Sequence, residues 1–167
     1  MILKNYSVFK QCIYNDAMTY QTRIDSYGAK DMNGATISRL SYHSSTDQTK
    51  QNMSLDSGFA YLIGDGTDLN EDDYSMQSIA GLNFSVAKST MIQGNKYVRT
   101  FIITGSNPTS NTQTIRQFGI YKTFYGALNE ASSMGNFDAL LVKENLENEI
   151  VVEPNEDFTF AVTWSEY

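Results

Sequence analysis

The sequence predicts an all-β fold, an antiparallel β-sandwich or jelly roll with a short N-terminal helix. Three observations carry that expectation. Phe158-Thr159-Phe160-Ala161-Val162-Thr163-Trp164 alternates large apolar and small residues without interruption, and side chains on a strand change face at every residue. Phe158, Phe160, Val162 and Trp164 are therefore expected to share one buried face. From residue 59 onward, short β-branched and aromatic runs follow one another with turn residues between them, the pattern of a sandwich. Aromatic residues make up 13% of the chain, mainly Tyr and Phe, which favour pleated surfaces.

The N-terminal element comes from spacing. Ile2, Tyr6, Phe9 and Ile13 recur at intervals of four, three and four, which places them on one helical stripe. So short a helix is not stable alone and must dock on its own domain or on a neighbouring subunit. Residues 1–14 are read as this helix or arm, and the four stripe residues as a candidate assembly interface. Residues 15–58 are rich in Asn, Asp, Ser, Thr, Gln and Gly, which predicts long loops with one or two short strands, one near residues 35–42. Residues 15–167 are read as a single β-sandwich domain, loop-rich over 15–58.

Phe59, Tyr61 and Ile63 alternate until Gly64-Asp65-Gly66 breaks the run; Leu82, Phe84 and Val86 alternate before a Gly94-Asn95 turn. Residues 96–104 form a dense β run closed by Gly105-Ser106-Asn107-Pro108. In residues 112–122, Phe118 and Ile120 are in phase and Ile115 is not, which predicts a bulge near Gln117. Residues 124–137 are expected to be a long connection. Two short strands, residues 139–143 and 149–152, then precede the final run, for a total of about seven to nine.

Composition narrows function. A length of 167 residues suits one domain with its own core. A formal charge of -7 and a pI near 4.6 argue against a phosphate-binding surface, which needs clustered Lys and Arg. No apolar stretch is long enough for a membrane helix, and the N-terminal residues lack the apolar core of a signal peptide. Cys12 and His43 each occur once; they read as a small core hydrophobe and a polar strand or loop residue.

The chemistry-bearing motifs fail one by one. Gly64-Asp65-Gly66-Thr67 lacks the third glycine and the following helix of a dinucleotide loop. Asp65, Asp68, Asp72 and Asp73, with Asn70 and Glu71 between them, form the one candidate Ca²⁺ loop, because carboxylate-rich loops bind hard cations. An EF-hand starting at Asp68 would need Gly at the place of Asp73 and Glu at the place of Ile79. The plainer reading is a solvated acidic turn. No nucleophile elbow occurs, His43 has no assigned catalytic partner, and no carboxylate pair stands out. No catalytic residue, cofactor or metal is assigned.

Several segments, taken in order, resemble a recurring pattern in virion proteins of tailed bacteriophages. Tyr61-Leu62-Ile63-Gly64-Asp65-Gly66-Thr67 is similar to its strand and Gly-x-Gly-Thr turn, and Asp73-Tyr74-Ser75-Met76 to its Asp-Tyr-x-Leu segment. Tyr97–Gly105, Asn107 and Thr114-Ile115-Arg116-Gln117-Phe118-Gly119-Ile120-Tyr121 resemble the pattern's long strand, turn and Glu-x-Gly-Leu-Tyr strand, with Gln117 in the acidic position and Ile120 in that of Leu. Ala139-Leu140-Leu141-Val142-Lys143 resembles a Leu-Leu-x-Arg strand, and residues 150–162 the ending around Pro-Gly-Glu, with Asn155 for Gly. Asn tolerates a left-handed backbone better than most residues, so Asn155 is expected to serve in that turn. Residues 1–14, with Asn5 and Tyr6, match loosely, and 15–58 show no match.

The resemblance implies a non-enzymatic structural protein of the virion. It would be a capsid-associated auxiliary or decoration subunit, or a tail, collar or fibre-attachment component. Its partners would be copies of itself and other virion proteins, forming a homo-oligomer within a particle, without direct nucleic acid or membrane contact. Loop tyrosines (Tyr14, Tyr20, Tyr27, Tyr42, Tyr125) suit contact surfaces, since Tyr supplies stiff amphipathic area. The reading from another class is a carbohydrate- or cell-surface-binding β-sandwich module, which would set aromatics on an open sheet face beside carboxylates.

Overall fold

The computed structural model describes residues 1–14, 21–41, 58–130 and 133–166. His43, Tyr20 and Tyr42 lie outside them, as do the side chains of Cys12, Ile13 and Tyr14. The fold is an all-β sandwich of antiparallel sheets with a short N-terminal helix, α1 (Lys4–Tyr14). The strands are β1 (Gln21–Arg23), β2 (Ile37–Ser41), β3 (Phe59–Gly64), β4 (Asn83–Gln93), β5 (Lys96–Ser106), β6 (Gln113–Leu128), β7 (Gly135–Val152) and β8 (Asp157–Glu166). One sheet has the order β1-β2-β6-β3, with β7 also paired to β6; the other is β4-β5-β8.

Two sequence expectations change, and the segment at Gln117 breaks its alternation. The connection expected over residues 124–137 is mostly strand, because β6 runs on to Leu128 and β7 starts at Gly135. The two short strands expected at 139–143 and 149–152 are parts of the single strand β7, whose middle is polar and partly exposed. Residues 117–120 are all buried, so alternation is lost where the sequence pointed to an irregularity at Gln117.

The chain divides into two compact units, and the division falls within β6 and β7. Unit 1 is Met1–Leu62, Asp68–Met76 and Gly119–Glu144; unit 2 is Ile63–Thr67, Gln77–Phe118 and Asn145–Tyr167. In unit 2, the inner face of the three-stranded sheet presents Phe101, Ile103, Phe158, Val162 and Trp164, all buried. It packs on Phe118 of β6, whose ring lies 5.9 Å from Phe101 and 6.4 Å from Phe160. The face expected from the final alternating run is thus the core face, with Phe160 only half-buried. Gly105 sits where an added Cβ would collide with the Asn83 carbonyl and the Phe158 ring, so no larger residue fits between β4 and β8.

Asn107 organises the loops of unit 2. Fully buried, it donates from Nδ2 to the carbonyls of Asn111 (2.8 Å) and Val152 (3.0 Å). Its Oδ1 accepts from the Thr109 N–H and hydroxyl, and its own carbonyl accepts from Asn155 N–H at 2.7 Å. Asn155 adopts φ 65°, the left-handed conformation expected of the residue standing in the Gly position. Asn107→Ala would leave the buried Val152 carbonyl and the part-buried Asn111 carbonyl without their donor, and we expect a loss of about 1–3 kcal/mol, read from urea unfolding.

In unit 1, α1 lies against the chain's own β strands. Phe9 meets Phe124 with ring centroids 4.5 Å apart, and Phe124 meets Phe137 at 6.1 Å. Leu3, Met76 and Leu140 form a cluster flanked by Met32, Leu62 and Tyr121. Asn5 fixes the start of the helix: Nδ2 donates to the carbonyls of Lys30 and Leu140, and Oδ1 accepts from Lys30 N–H. No Ser, Thr or Asp caps α1; Leu3 and Lys4 instead donate their N–H groups to the carbonyls of Leu141 and Glu71, which satisfies helix-start donors through tertiary contacts.

Candidate functional site

The candidate interface on the helix is occupied from within. Tyr6 and Phe9 are 2% and 0% exposed, and Ile2 lies before the helix, in a bridge to Val142 of β7. The apolar spacing was legible, but its partner is unit 1 itself. Tyr6 and Phe9 therefore offer no open stripe to a neighbouring subunit.

The acidic cluster is also resolved into separate roles. Lys143, 1% exposed, places Nζ 3.0 Å from Asp68 Oδ2 and 2.9 Å from Asp73 Oδ2. Asp72 pairs with Lys4 at 3.1 Å. Asp65 belongs to unit 2, where its backbone carbonyl accepts from Arg116. The cation held between Asp68 and Asp73 is thus the chain's own ammonium group. Burial by itself pushes the Lys143 ammonium down, but hydrogen bonds and charge from Asp73 and Asp68 outweigh it and leave the group above its ordinary value. Asp68 is held below the usual carboxylate range by its hydrogen bond to Lys143, then by that residue's charge. Two segments distant in sequence, Asp68–Met76 and the Leu140-Leu141-Val142-Lys143 part of β7, meet in this ion triad.

A cleft of about 260 Å³ in unit 1 is lined by Lys4, Asn5, Gly28, Lys30, Asp72, Tyr74 and the triad's Asp73. Its polar groups face one another: Lys4 pairs with Asp72, Asn5 bonds Lys30 and Leu140, and the Lys30 ammonium sits 4.9 Å from the Tyr74 ring centroid. Among the described residues, no group of three or more His, Cys, Asp or Glu could hold a metal ion, and no helix is long and apolar enough to cross a membrane.

The open feature lies in unit 2, on β4. Ten of its eleven residues are exposed and only Val86 is half-covered, so both faces of the strand are bare. Met91 and Ile92 are 62% and 71% exposed, and Phe84, Tyr97 and Ile102 are exposed as well. β4 pairs along its whole length with β5, from Asn83↔Ser106 to Gln93↔Lys96, and ends the order β4-β5-β8. Among the described residues its second edge carries no strand. Natural edge strands are shortened, bulged, broken by proline or heavily charged; β4 has eleven residues in unbroken register and one charge, Lys88. The alternation of Leu82, Phe84 and Val86 predicts an ordinary strand and does not report this exposure. The available signal was the absence of any Asp or Glu from residues 83–106 in a chain that carries 19 of them.

Comparison with protein-family models, with curated proteins and with solved structures gave no match to this chain.

Proposed function

We propose that this chain is a non-enzymatic structural subunit of a tailed-phage particle, acting by assembly with other virion polypeptides, as a capsid-associated auxiliary or decoration protein. The observation that carries the assembly part is β4: a long, nearly uncharged edge strand with exposed Met91 and Ile92. Such an edge is a template for another chain, and a protein that keeps one open uses it or aggregates. The phage setting is supported by the ordered motifs of the sequence. The charged side chains lining the unit 1 cleft have partners within the chain, Lys4 with Asp72, Lys30 with the Tyr74 ring and Asp73 with Lys143, which supports a structural role over a catalytic one. Its work is to present a stiff β scaffold to copies of itself and to other virion proteins. A glycan-binding module is less favoured, because Phe158 and Trp164, which would have to lie on an open face, are buried.

The test is to purify particles and locate the chain by mass spectrometry and imaging. A fixed copy number on the shell supports the capsid-associated role. Density on the tail or collar moves the protein there, and absence from particles refutes the virion reading.

A further inference from the structure

We propose that the edge of β4 that carries no strand among the described residues pairs antiparallel with β4 of a second copy of this chain, joining two three-stranded sheets into one continuous sheet. This rests on the assembly reading above and names the partner for that edge.

Hairpin geometry determines which groups are available. Positive φ is confined to Gly94 (65°) in the two-residue Gly94-Asn95 turn, as in a type II′ hairpin. The closing pair of such a hairpin, Gln93↔Lys96, is hydrogen-bonded. Gln93, Met91, Ser89, Ala87 and Ser85 therefore aim their N–H and C=O groups at β5. Ile92, Thr90, Lys88, Val86 and Phe84 aim theirs outward.

A two-fold axis at Ser89 uses these outward groups symmetrically. Val86 faces Ile92 of the second copy, and Lys88 faces Thr90. On the other side of the sheet, Ala87 faces Met91 and Ser89 faces its twin. The two most exposed apolar side chains, Met91 and Ile92, are covered, and the two Lys88 ammonium groups sit diagonally rather than opposite. About eight backbone hydrogen bonds close the seam.

Electrostatics single out a second copy as the occupant. Two chains of charge -7 repel at most approaches, but all 19 carboxylate residues lie outside residues 83–106. The whole of residues 74–129 lacks Asp and Glu, and within that span β4 is the strand whose second edge carries no strand among the described residues, so there two acidic copies meet without opposing carboxylates on the paired strands. A C₂ contact of this kind is self-complementary and closed. An edge seam of about nine residues is smaller than a standard stable interface, so the dimer forms at high protein concentration or at the local concentration of a particle.

Sedimentation velocity of the full chain over a concentration series tests this. The expected result is a reversible monomer–dimer equilibrium. Thr90→Pro removes an outward N–H and leaves the β5 ladder intact; it is expected to weaken dimerisation at least about tenfold. Ile92→Lys, at a site already exposed, is expected to weaken it similarly and serves if the proline variant does not fold. Under mild oxidation, Ser89→Cys is expected to give a covalent dimer, because twin residues on the axis are within disulfide reach. Ala87→Cys and the parent chain with Cys12 are not. A chain monomeric at every concentration, variants that dimerise like the parent, or cross-linking at position 87 instead of 89 overturns the pairing. If such a chain still enters particles, the virion role stands and its β4 meets another protein. If it dimerises but is absent from particles, the pairing stands and the virion role falls.

Discussion

Lys143→Ala is expected to lower the stability of the isolated chain by about 3–5 kcal/mol, read from urea unfolding. The side chain is 1% exposed and bonds both Asp68 and Asp73. Its removal leaves a void and abandons two carboxylates that its charge compensated. The reverse changes are unequal. Asp73 is 21% exposed and Asp68 79%, so Asp73→Ala is expected to cost several times more than Asp68→Ala, which stays under about 1 kcal/mol. Equal losses from the two would show that the ammonium is shared differently.

The triad also defines a pH window. Asp68 has a lowered value in the folded chain, so its contribution is present above the ordinary carboxylate range and fades as pH falls through the lowered value. Lys143 has a raised value, so its contribution is complete below about pH 10.4 and fades as pH rises through the raised value. Stability of the parent is expected to drop at both ends, and in Lys143→Ala both components vanish.

Phe9→Ala is expected to cost about 3–5 kcal/mol in the isolated chain. Phe9 is fully buried, and its ring packs 4.5 Å from Phe124. A stripe kept for another subunit would leave the isolated chain indifferent to this change. Ser7→Ala, on the exposed side of the same helix, is the control and stays within about 0.5 kcal/mol. If Phe9→Ala matches Ser7→Ala, the helix does not dock on unit 1 in solution.

What the sequence disclosed and what it withheld follow from the physics of pattern. Periodicity tells which residues share a face: the 4-3-4 spacing gave the helix, and alternation at residues 158–164 gave the core face of β8. Periodicity does not say what covers that face. Phe9 faces the chain's own Phe124, while Phe84 and Ile92, on a strand equally regular in sequence, face solvent. Polar residues in a strand hide its length, so Glu144-Asn145-Leu146-Glu147-Asn148 made β7 look like two strands. The ion triad joins Asp68 and Asp73 to Lys143 across a span that no local pattern reports. The carboxylates were visible as a cluster; the cation between them was not.

The order in which the three-stranded sheet closes has its own consequence. β5 meets β4 across a two-residue turn, but meets β8 only after β6 and β7 have intervened. Local hairpins form within microseconds, whereas distant strands wait for a long loop to close. During folding, β5 therefore waits with one side vacant for β8. Crowded refolding lets a foreign strand take that place, and dilution favours the correct one.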